Sequence, residues 1–434
     1  MSGLARLMLH RGHSVTGSDR DASHTTAHLM EEGISVAIGQ NAENPRGADL
    51  AIYTAAIAQD NPELLACKEL GIPTIERAEF LGVLSREYEQ CIAVCGTHGK
   101  TTVTSMLAQA LVDAPLNPTV HIGGEIPTWG SNVRVGGADL FVTEACEFRA
   151  SFLHLHPTVA LVLNIEEDHL DYYRDIGHIV DTFREFQRNI RPGGLTVLCA
   201  DSEHARGLLE AAPCKCVTYA LDAPADYTAK DLTHDAMGCF SFTALRDGQE
   251  LGVVRLSVPG RHNAQNALGV LAAACALGVS PQNAIASLAG FSGVHRRFEH
   301  TGDVRGVHLY HDYGHNPAEY RSVVPIAAML PHGKLFVVVQ PHTYSRVKGL
   351  FDDFLSAFDG ADEVLVTDIY AAREKDPGDI HSTMLVDAMK KAGVPAVYTP
   401  TFEDCKEYLY DHWKPGDIVL TLGCGNINLL NEML

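Results

Sequence analysis

The sequence predicts an α/β protein with mainly parallel sheets, arranged in three consecutive domains. Short β-branched runs alternate with amphipathic stretches of helical length through most of the 434 residues, which is typical of parallel strands joined by helices. That length leaves room for several domains of roughly 100 to 200 residues each. Polar residues stand directly after several apolar runs, where open parallel sheets place their ligand-binding groups. We therefore expect domains over residues 1–88, 89–296 and 297–434.

Composition and charge exclude several classes of protein. Apolar residues make up 46% of the chain and charged residues 20%, as in ordinary globular proteins. The net charge of −21, without a lysine-rich or arginine-rich run, argues against a nucleic-acid partner. The sequence has no apolar segment of about 20 residues, the length a membrane span needs, and no secretory leader. We therefore expect a cytoplasmic protein that does not insert into a membrane.

The eleven cysteines are scattered, without a paired C-x-x-C. An odd count with irregular spacing predicts reduced, mostly buried thiols in a reducing compartment. Cys214 and Cys216 form the one close pair, but a structural zinc site would need more ligands nearby.

The first block begins with a helical pattern rather than with a strand. Leu4, Leu7 and Met8 have helical spacing. A strand over residues 14–16 then leads into Gly17-Ser18-Asp19, and a second strand covers residues 50–53. Asp19 could accept a ribose hydroxyl, as acidic residues do in dinucleotide-binding folds, and a surface turn is an equal alternative.

The second block carries the strongest signal for function. A strand over Cys91–Cys95 runs into a glycine-rich turn, and a helix begins near Thr101. Glycines let the backbone wrap around an anion, N–H groups and the helix dipole attract it, and Lys100 adds a positive charge. The usual P-loop has one more glycine where Val94 stands, so this turn is a shorter variant. The predicted nucleotide-binding turn consists of Gly96, Thr97, His98, Gly99, Lys100, Thr101 and Thr102.

Two further strands deliver acidic groups toward this turn. The run 140–142 ends at Thr143 and Glu144, and the run 159–165 ends at a polar stretch that includes His169. Carboxylate oxygens suit Mg²⁺, so Glu144 is the better candidate to share an ion with the Thr101 hydroxyl. His169 is an unusual magnesium ligand, and a solvated loop residue is an equal interpretation. The third block repeats the α/β pattern, with strands over residues 307–310, 335–339, 364–366 and 418–421.

Taken together, these motifs resemble those of the Mur ligases, and the resemblance covers nearly the whole chain. The matching segments are Gly96–Thr102, Glu144, Asn164-Ile165 with Asp168-His169, Gly260–Asn263 with Asn266, Arg296–Glu299, and His311–Pro317. The resemblance implies a Rossmann-like N-terminal domain, a P-loop ATPase-like central domain with a mainly parallel sheet, and a Rossmann-like C-terminal domain. It also implies an ATP-dependent amide ligase of peptidoglycan synthesis, with ATP and Mg²⁺ at the central site.

The same resemblance assigns roles to individual residues. Lys100 would contact the ATP phosphates, Thr101 and Glu144 would bind one Mg²⁺, and His169 would bind a second Mg²⁺ near the transferring phosphate. In addition, His262 and Asn266 would lie near the adenine, while Asp312 would hold the ribose. Helix capping is the alternative for Asn263, Asn266 and Asp312.

One segment points to the branch of the family that adds alanine. Residues 340–346 follow a strand and resemble the amino-acid pocket of that branch, with His342 and Arg346 near the L-alanine carboxylate and His315 close by. Some relatives carry arginine at Thr343, which leaves one cationic contact open. No lysine occurs between Thr101 and Cys214, so this region cannot form the carbamylated lysine of several related ligases.

The implied reaction joins L-alanine to the lactyl carboxylate of UDP-N-acetylmuramate. That carboxylate would attack the γ-phosphate of ATP, and the amine of L-alanine would displace phosphate from the resulting acyl phosphate. Family members have a strand and a glycine-rich loop ahead of residues 1–5, and we expect this missing segment to be encoded upstream. The expected partners are small molecules only, with the chain a monomer or weak homodimer. Alternatives are another Mur or folylpolyglutamate-type amide ligase, or a nucleotide-binding protein without ligase activity.

Overall fold

The computed structural model describes residues 1–55, 57–126, 129–169, 172–372 and 374–434, and it confirms an α/β fold with mainly parallel sheets. Two short 3₁₀ segments cover Phe148–His154 and Gly207–Ala211. The α-helices of the described residues are α1 (Ser2–His10), α2 (His24–Glu31), α3 (Pro62–Leu70), α4 (Arg77–Arg86), α5 (Lys100–Asp113), α6 (Ile176–Arg188), α7 (Glu203–Arg206), α8 (Arg261–Ala276), α9 (Pro281–Gly290), α10 (Pro317–Met329), α11 (Tyr344–Gly349), α12 (Phe351–Phe354), α13 (Ser382–Lys391), α14 (Phe402–His412) and α15 (Asn428–Met433).

The strands form one large sheet, one medium sheet and two strand pairs. Within the described residues they are β1 (Thr16–Asp19), β2 (Ser35–Ile38), β3 (Ala51–Tyr53), β4 (Thr74–Glu76), β5 (Gln90–Cys95), β6 (Thr119–Ile126), β7 (Ser131–Arg134), β8 (Leu140–Glu144), β9 (Val159–Val162), β10 (Leu195–Cys199), β11 (Lys215–Tyr219), β12 (Tyr227–His234), β13 (Cys239–Arg246), β14 (Gln249–Pro259), β15 (Glu299–Val304), β16 (Val307–Asp312), β17 (Leu335–Val339), β18 (Glu363–Val366), β19 (Ala396–Tyr398) and β20 (Ile418–Leu422).

The sheet orders are β14-β13-β12-β11-β10-β9-β5-β8-β6-β7 for the ten-stranded sheet and β15-β16-β20-β17-β18-β19 for the six-stranded sheet, while β1 pairs with β2 and β3 with β4. The chain divides into two compact units. The first comprises Met1–Lys230, Ala244–Gly252 and Asn266–Leu288, and the second comprises Asp231–Thr243, Val253–Gln265 and Ala289–Leu434.

In the first unit, β5 is the strand that positions the glycine-rich turn. It lies between β8 and β9 and pairs with both in parallel, so Ile92 is opposite Val142 on one side and Val159 on the other. Its residues from Cys91 to Cys95 are all buried, which is why the sequence there is a continuous apolar run. Since the three strands are parallel, their carboxyl ends meet at one edge of the sheet, where the turn begins.

In the second unit, the six-stranded sheet separates two apolar cores. Leu335, Val337 and Val339 of β17 belong to one core cluster, whereas Phe336 and Val338 belong to the other. This alternation follows from the period of two along a strand, and both faces are apolar because helices cover both. The carboxyl ends of β16, β20 and β17 therefore meet at one edge, as in the first unit.

The predicted strands are confirmed, with small shifts at their ends. The first strand is the exception: it was predicted over residues 14–16 but covers Thr16–Asp19, so the two ranges share one residue. The strand predicted over 159–165 ends at Val162, because beyond it the carbonyl of Asn164 accepts a hydrogen bond from the N–H of Thr97 in the glycine-rich turn. The helix predicted at the start is α1, whose Leu4, Leu7 and Met8 are buried.

All eleven cysteines are free thiols, but only five of them are buried and six are partly buried. The prediction of mostly buried thiols was therefore too strong. Burial raises the pKa of Cys91 to about 12, so this thiol is protonated at neutral pH. Among the described residues, the longest helices fall short of the length and apolar character of a membrane span.

Candidate active site

The turn after β5 has a backbone conformation that requires glycine at two positions. Gly96 has φ +146° and Gly99 has φ +85°. A Cβ at Gly96 would also lie 3.0 Å from the Cβ of Leu163 and 3.1 Å from the N of Asn164. Gly96 is thus fixed both by its positive φ and by the close approach of the chain after β9.

Hydrogen bonds fasten this turn to the segment that follows β9. The Asn164 side chain is used twice, since its Oδ1 accepts from the N–H of His98 at 2.8 Å and its Nδ2 donates to the carbonyl of His98 at 3.2 Å. In addition, the Oγ1 of Thr97 accepts from the N–H of Glu166 at 2.9 Å. These bonds hold the turn in a fixed shape.

Helix α5 begins directly after the turn, with Gly99 preceding its first residue and without a side-chain cap. Its first N–H groups therefore remain available to an anion, and the helix dipole favours one there. Thr101 and Thr102 lie in the first helical turn and are partly exposed. Among the described residues, no hydrogen bond is formed by the Thr101 hydroxyl, so it is available as a ligand.

Lys100 and Glu147 form a buried ion pair beside the turn. The Nζ of Lys100 lies 3.0 Å from Oε1 and 2.8 Å from Oε2 of Glu147, and the two side chains are 15% and 3% exposed. Lys100 also donates to the carbonyls of Gly96 at 2.5 Å and Thr97 at 3.0 Å. Burial favours neutral forms, but the pKa of Lys100 is raised by the Glu147 carboxylate. The pKa of Glu147 is correspondingly lowered, because Lys100 and His169 outweigh its burial.

His169 lies next to the same carboxylate and is not a solvated loop residue. Its Nε2 is 3.6 Å from Oε1 of Glu147, and its side chain is 18% exposed. The ring contacts Phe148, with 4.8 Å between ring centroids. Tyr173 fixes the other side of this arrangement, since its hydroxyl donates to the carbonyl of Glu147.

Sequence reasoning missed Glu147 and singled out Glu144 instead. Glu144 is the last residue of β8, and its Oε1 accepts a hydrogen bond from the N–H of Gly123 at 2.8 Å. Glu147, three residues further on, is the acid that contacts both Lys100 and His169. The available signal was an acidic residue soon after a buried strand, but the sequence does not show which of the two acids turns inward.

The residues around Glu147 fit a divalent cation. Its Oε2 is a buried atom that makes no hydrogen bond of good geometry to any described residue, although Lys100 is near. The imidazole of His169 lies beside this carboxylate, and the Thr101 hydroxyl is available at the start of α5, so oxygen donors predominate among the candidate ligands. That set is suited to Mg²⁺ bound together with substrate phosphates.

Asn266 and His262 both lie on α8, and they have different surroundings. Asn266 is 8% exposed, and its Oδ1 would lie 3.4 Å from a Cβ placed on Gly99, so it borders the glycine-rich turn. His262 is exposed and its ring lies against Gly260, where a Cβ would be 2.7 Å from its Cε1. Asn263 and Asn266 are inside the helix, so the alternative that they cap it is wrong.

In the second unit, Asp312 is buried at the carboxyl end of β16. Its Oδ1 accepts from the N–H of Gly314 at 2.6 Å and its Oδ2 from the N–H of Phe298 at 2.8 Å. Burial raises the pKa of this carboxyl, although Arg297 and the two backbone bonds oppose the shift. The alternative that Asp312 caps the next helix is wrong, because Asn316 caps α10.

The structure brings His315, His342 and Arg346 together. The rings of His315 and His342 are 5.6 Å apart, and Arg346 Nη1 lies 2.9 Å from the Nδ1 of His342. Because a guanidinium can only donate, His342 is the acceptor there. Glu319 positions His315 by accepting from its N–H at 2.7 Å.

A second glycine-rich segment, which sequence reasoning also missed, follows the central strand β20. Gly423 has φ +155°, and a Cβ on Gly425 would lie 2.3 Å from Oε1 of Gln340. Arg296 donates to the carbonyls of both glycines, at 3.2 and 3.0 Å. The sequence shows two glycines directly after an apolar run, but it does not show that this run is a central strand of the sheet.

Asp19 lies at the carboxyl end of β1, as predicted, and is exposed. Its Oδ1 accepts from the N–H of Asp21 at 3.3 Å, which is a local turn contact. Elsewhere in the first unit, a cavity of about 200 Å³ is lined by Ser2, Arg6, His24, Thr25, His28, Gly123, Glu125, Gly130 and Asn132. Gly123 connects this cavity to Glu144, whose carboxylate binds its N–H.

A glycine-rich turn after an inner strand of a mainly parallel sheet, with a buried lysine, a carboxylate and an imidazole beside it, is typical of α/β enzymes that use a nucleoside triphosphate. Three family models match the chain: the Mur ligase family catalytic domain over residues 1–89, the Mur ligase middle domain over 94–274, and the Mur ligase glutamate ligase domain over 296–425. The chain belongs to the Mur ligase family, and it is therefore an ATP-dependent amide ligase of peptidoglycan synthesis.

Curated relatives match the chain over its full length. A UDP-N-acetylmuramate–L-alanine ligase of Acetivibrio thermocellus is 44% identical and is covered to 92% by this chain. One of the same name from Caldanaerobacter subterraneus subsp. tengcongensis is 45% identical and covered to 94%.

Solved structures show the same architecture. The UDP-N-acetylmuramate–alanine ligase MurC of Thermotoga maritima matches all of this chain and 95% of its own, with a TM-score of 0.86 and 28% identity. A murein peptide ligase of Psychrobacter arcticus, at 24% identity and a TM-score of 0.76, covers the same shares and shares the fold.

Proposed function

We propose that this chain joins the amino group of L-alanine to the lactyl carboxylate of UDP-N-acetylmuramate, at the expense of ATP, and that it acts in the cytoplasm as a monomer or weak homodimer. The observation that supports this specificity is the 44% identity, over the whole chain, with a ligase of that name. The proposal keeps three functional blocks, over residues 1–88, 89–296 and 297–434.

The glycine-rich turn is the proposed binding site of the ATP phosphates. Its fixed N–H groups and those at the start of α5 would face the phosphate oxygens, and Lys100 would neutralise charge on the transferring group. Glu147, His169 and Thr101 would hold Mg²⁺, with Glu144 as a further carboxylate at the neighbouring strand end. When bound, Mg²⁺ would offset the repulsion between the phosphates and the attacking carboxylate.

The proposed reaction has two steps. In the first, an oxygen of the lactyl carboxylate attacks the γ-phosphorus, the bond to the β-phosphate oxygen breaks, and ADP leaves. In the second, the uncharged amine of L-alanine attacks the acyl carbon of the acyl phosphate, phosphate leaves with the bonding pair, and the amine loses a proton. Lys100 stabilises the first step because its charge is fixed in place before the reaction begins, which avoids reorganisation during it.

The other predicted residues are each proposed to bind one of the three substrates. Arg346 would bind the L-alanine carboxylate, oriented by His342, and His315 beside them is the candidate to take the proton from the amine. Asp312 would accept the ribose hydroxyls of ATP. His262 and Asn266 would lie near the adenine. Asp19 and the polar cavity that includes Gly123 would contact the UDP-sugar.

The test is phosphate release from ATP with UDP-N-acetylmuramate and one amino acid at a time. We expect L-alanine to support turnover, and glycine, D-glutamate or a wall tripeptide to support far less. The variant Arg346→Met should raise the KM for L-alanine about tenfold or more, since a charge-assisted hydrogen bond contributes roughly 1.5 to 3 kcal/mol.

Lys348→Met is the matched control, because Lys348 lies on the same short helix α11 but pairs with Asp379. Its KM for L-alanine should stay within about twofold of the wild-type value, as expected for an exposed ion pair. Turnover with the tripeptide instead of L-alanine would identify a peptide-recycling ligase. ATP binding without phosphate release under any condition would identify a nucleotide-binding protein and refute the proposal.

A further inference from the structure

Three side chains outside the proposed active site converge on the antiparallel hairpin β15–β16. The Oδ1 of Asp303 is 3.0 Å from the Nε2 of His300 and 2.6 Å from the Nδ1 of His308. All three ligand atoms lie within 4.8 Å of one another. The side chains are about half exposed, at 45% for each histidine and 53% for the aspartate.

A β-bulge places these residues on one face of the hairpin. In a regular strand, positions three apart point to opposite faces, so His300 and Asp303 would not meet. The pairing register shifts between His300 and Gly302, and a bulge of this kind re-aims the side chains that follow it. Asp303 is then directly opposite His308, and His300 reaches the same carboxylate oxygen.

The chemistry of this cluster differs from that of the proposed magnesium site. Two imidazole nitrogens and one carboxylate oxygen suit Zn²⁺, Ni²⁺ or Co²⁺, whereas Mg²⁺ prefers six oxygens. Ligands of a tetrahedral ion at about 2.0 to 2.2 Å are roughly 3.4 Å apart, so separations of 2.6 and 3.0 Å require only small movements.

We propose that His300, Asp303 and His308 form a surface site for a borderline divalent cation such as Zn²⁺. Exposure of the three side chains leaves the remaining coordination positions to water, so the site is accessible from solvent and exchanges its ion readily. The ion would tie the edge strand β15 to β16 through side chains.

The experiment compares Zn²⁺ bound per chain in four proteins by equilibrium dialysis, with reduced thiols and excess Mg²⁺ in every sample. They are the wild type, His308→Gln, Asp303→Asn, and His234→Gln as the matched control. His234 is an exposed histidine on a strand, and its Nδ1 contacts the carbonyl of Asp235. Free cysteines and other histidines contribute the same background to all four.

We expect the wild type and His234→Gln to bind one Zn²⁺ per chain more than His308→Gln and Asp303→Asn. The visible absorption of bound Co²⁺ should be lost in the same two variants, while their Mg²⁺-dependent ligation rate stays at the wild-type value. Equal Zn²⁺ binding in all four proteins would overturn the proposal, and would show that the cluster is only a pair of His–Asp contacts on an edge strand.

Discussion

Glu147 is the carboxylate on which Lys100 and His169 converge, and its burial makes its charge costly unless a cation compensates it. Removing one partner of a buried pair commonly destabilises a protein by about 3 to 5 kcal/mol. We therefore predict that Glu147→Gln lowers the melting temperature and raises the Mg²⁺ concentration for half-maximal phosphate release at least about tenfold. Thermal unfolding and a Mg²⁺ titration of the rate measure both effects.

Glu144→Gln is the control that separates the two candidate acids. Its carboxylate binds the N–H of Gly123, a contact that the amide oxygen of glutamine can keep. We expect a smaller change in Mg²⁺ dependence than for Glu147→Gln. A larger change in Mg²⁺ dependence in Glu144→Gln than in Glu147→Gln would identify Glu144 as the main metal ligand instead.

The sequence identified some of the candidate site residues and missed others. Lys100 could be placed beside the turn, because its position follows from the pattern of the turn. Glu147 could not, since the partners that make it special come from α5 and from the segment after β9. His311 was part of a matching motif without an assigned role. In the structure, Arg296 Nε donates to its Nε2 at 3.1 Å, so its Nδ1 carries the proton and donates to Thr421 at 2.9 Å.

At the scale of elements, the turn between β5 and α5 depends on backbone conformation as much as on side chains. We predict that Gly96→Ala lowers stability by more than the roughly 1 to 2 kcal/mol of a left-handed residue, because its Cβ would also press on Leu163 and Asn164. It should also weaken ATP binding by displacing the N–H groups. Denaturant unfolding and nucleotide titration measure the two losses.

Gly193→Ala supplies the comparison for this prediction. Gly193 has φ +81°, and nothing lies within 4 Å of the position its Cβ would take, so only conformational strain is introduced. It should lose stability without losing ATP affinity. If the two variants behaved alike, the close approach at Gly96 would have no role in nucleotide binding.

The sequence predicted where the strands are, but it did not predict their order in the sheets. Continuous apolar runs located β5, β8, β17 and β20, because a strand covered on both faces has no polar alternation. The order of the strands depends on pairing between distant segments, such as β5 with β8 and β9, and no local pattern encodes it. The segment after β20 was missed for this reason: its glycines gain significance only once β20 is known to lie between β16 and β17.

At the scale of the whole molecule, each compact unit contains a buried neutral histidine. His121 is 7% exposed in the first unit and His311 is 1% exposed in the second. Burial, reinforced by nearby Arg77 and Arg296 respectively, lowers the pKa of each to about 3. In the unfolded chain a histidine has a pKa of about 6.5.

These shifts predict that stability falls as the pH falls from about 6.5 toward 3. In that window the unfolded chain binds protons that the folded chain does not, so acid favours unfolding. Each histidine contributes up to about 1.4 kcal/mol per pH unit. The buried Asp312 acts in the opposite sense, because its raised pKa makes the fold more favourable when that carboxyl is protonated.

Variants isolate the contribution of the histidines to this slope. His311→Asn should reduce the dependence of the unfolding free energy on pH by about one proton, whatever its effect on absolute stability. His412→Asn, at an exposed position, should leave the slope unchanged. Denaturant unfolding between pH 6.5 and 4.5 is the measurement, and an unchanged slope in His311→Asn would contradict the prediction.

The position of β20 has a consequence for synthesis on the ribosome. This strand spans residues 418–422, near the end of the chain, yet it lies between β16 and β17 in the sheet. More than a hundred residues are therefore translated after β16 before β20, the strand that pairs with it, has been synthesised. Until then, the backbone N–H and C=O groups with which β16 and β17 pair to β20 have no partner strand, and such unpaired edges promote aggregation. Chaperone dependence of the nascent chain should therefore concentrate in the last stretch of translation.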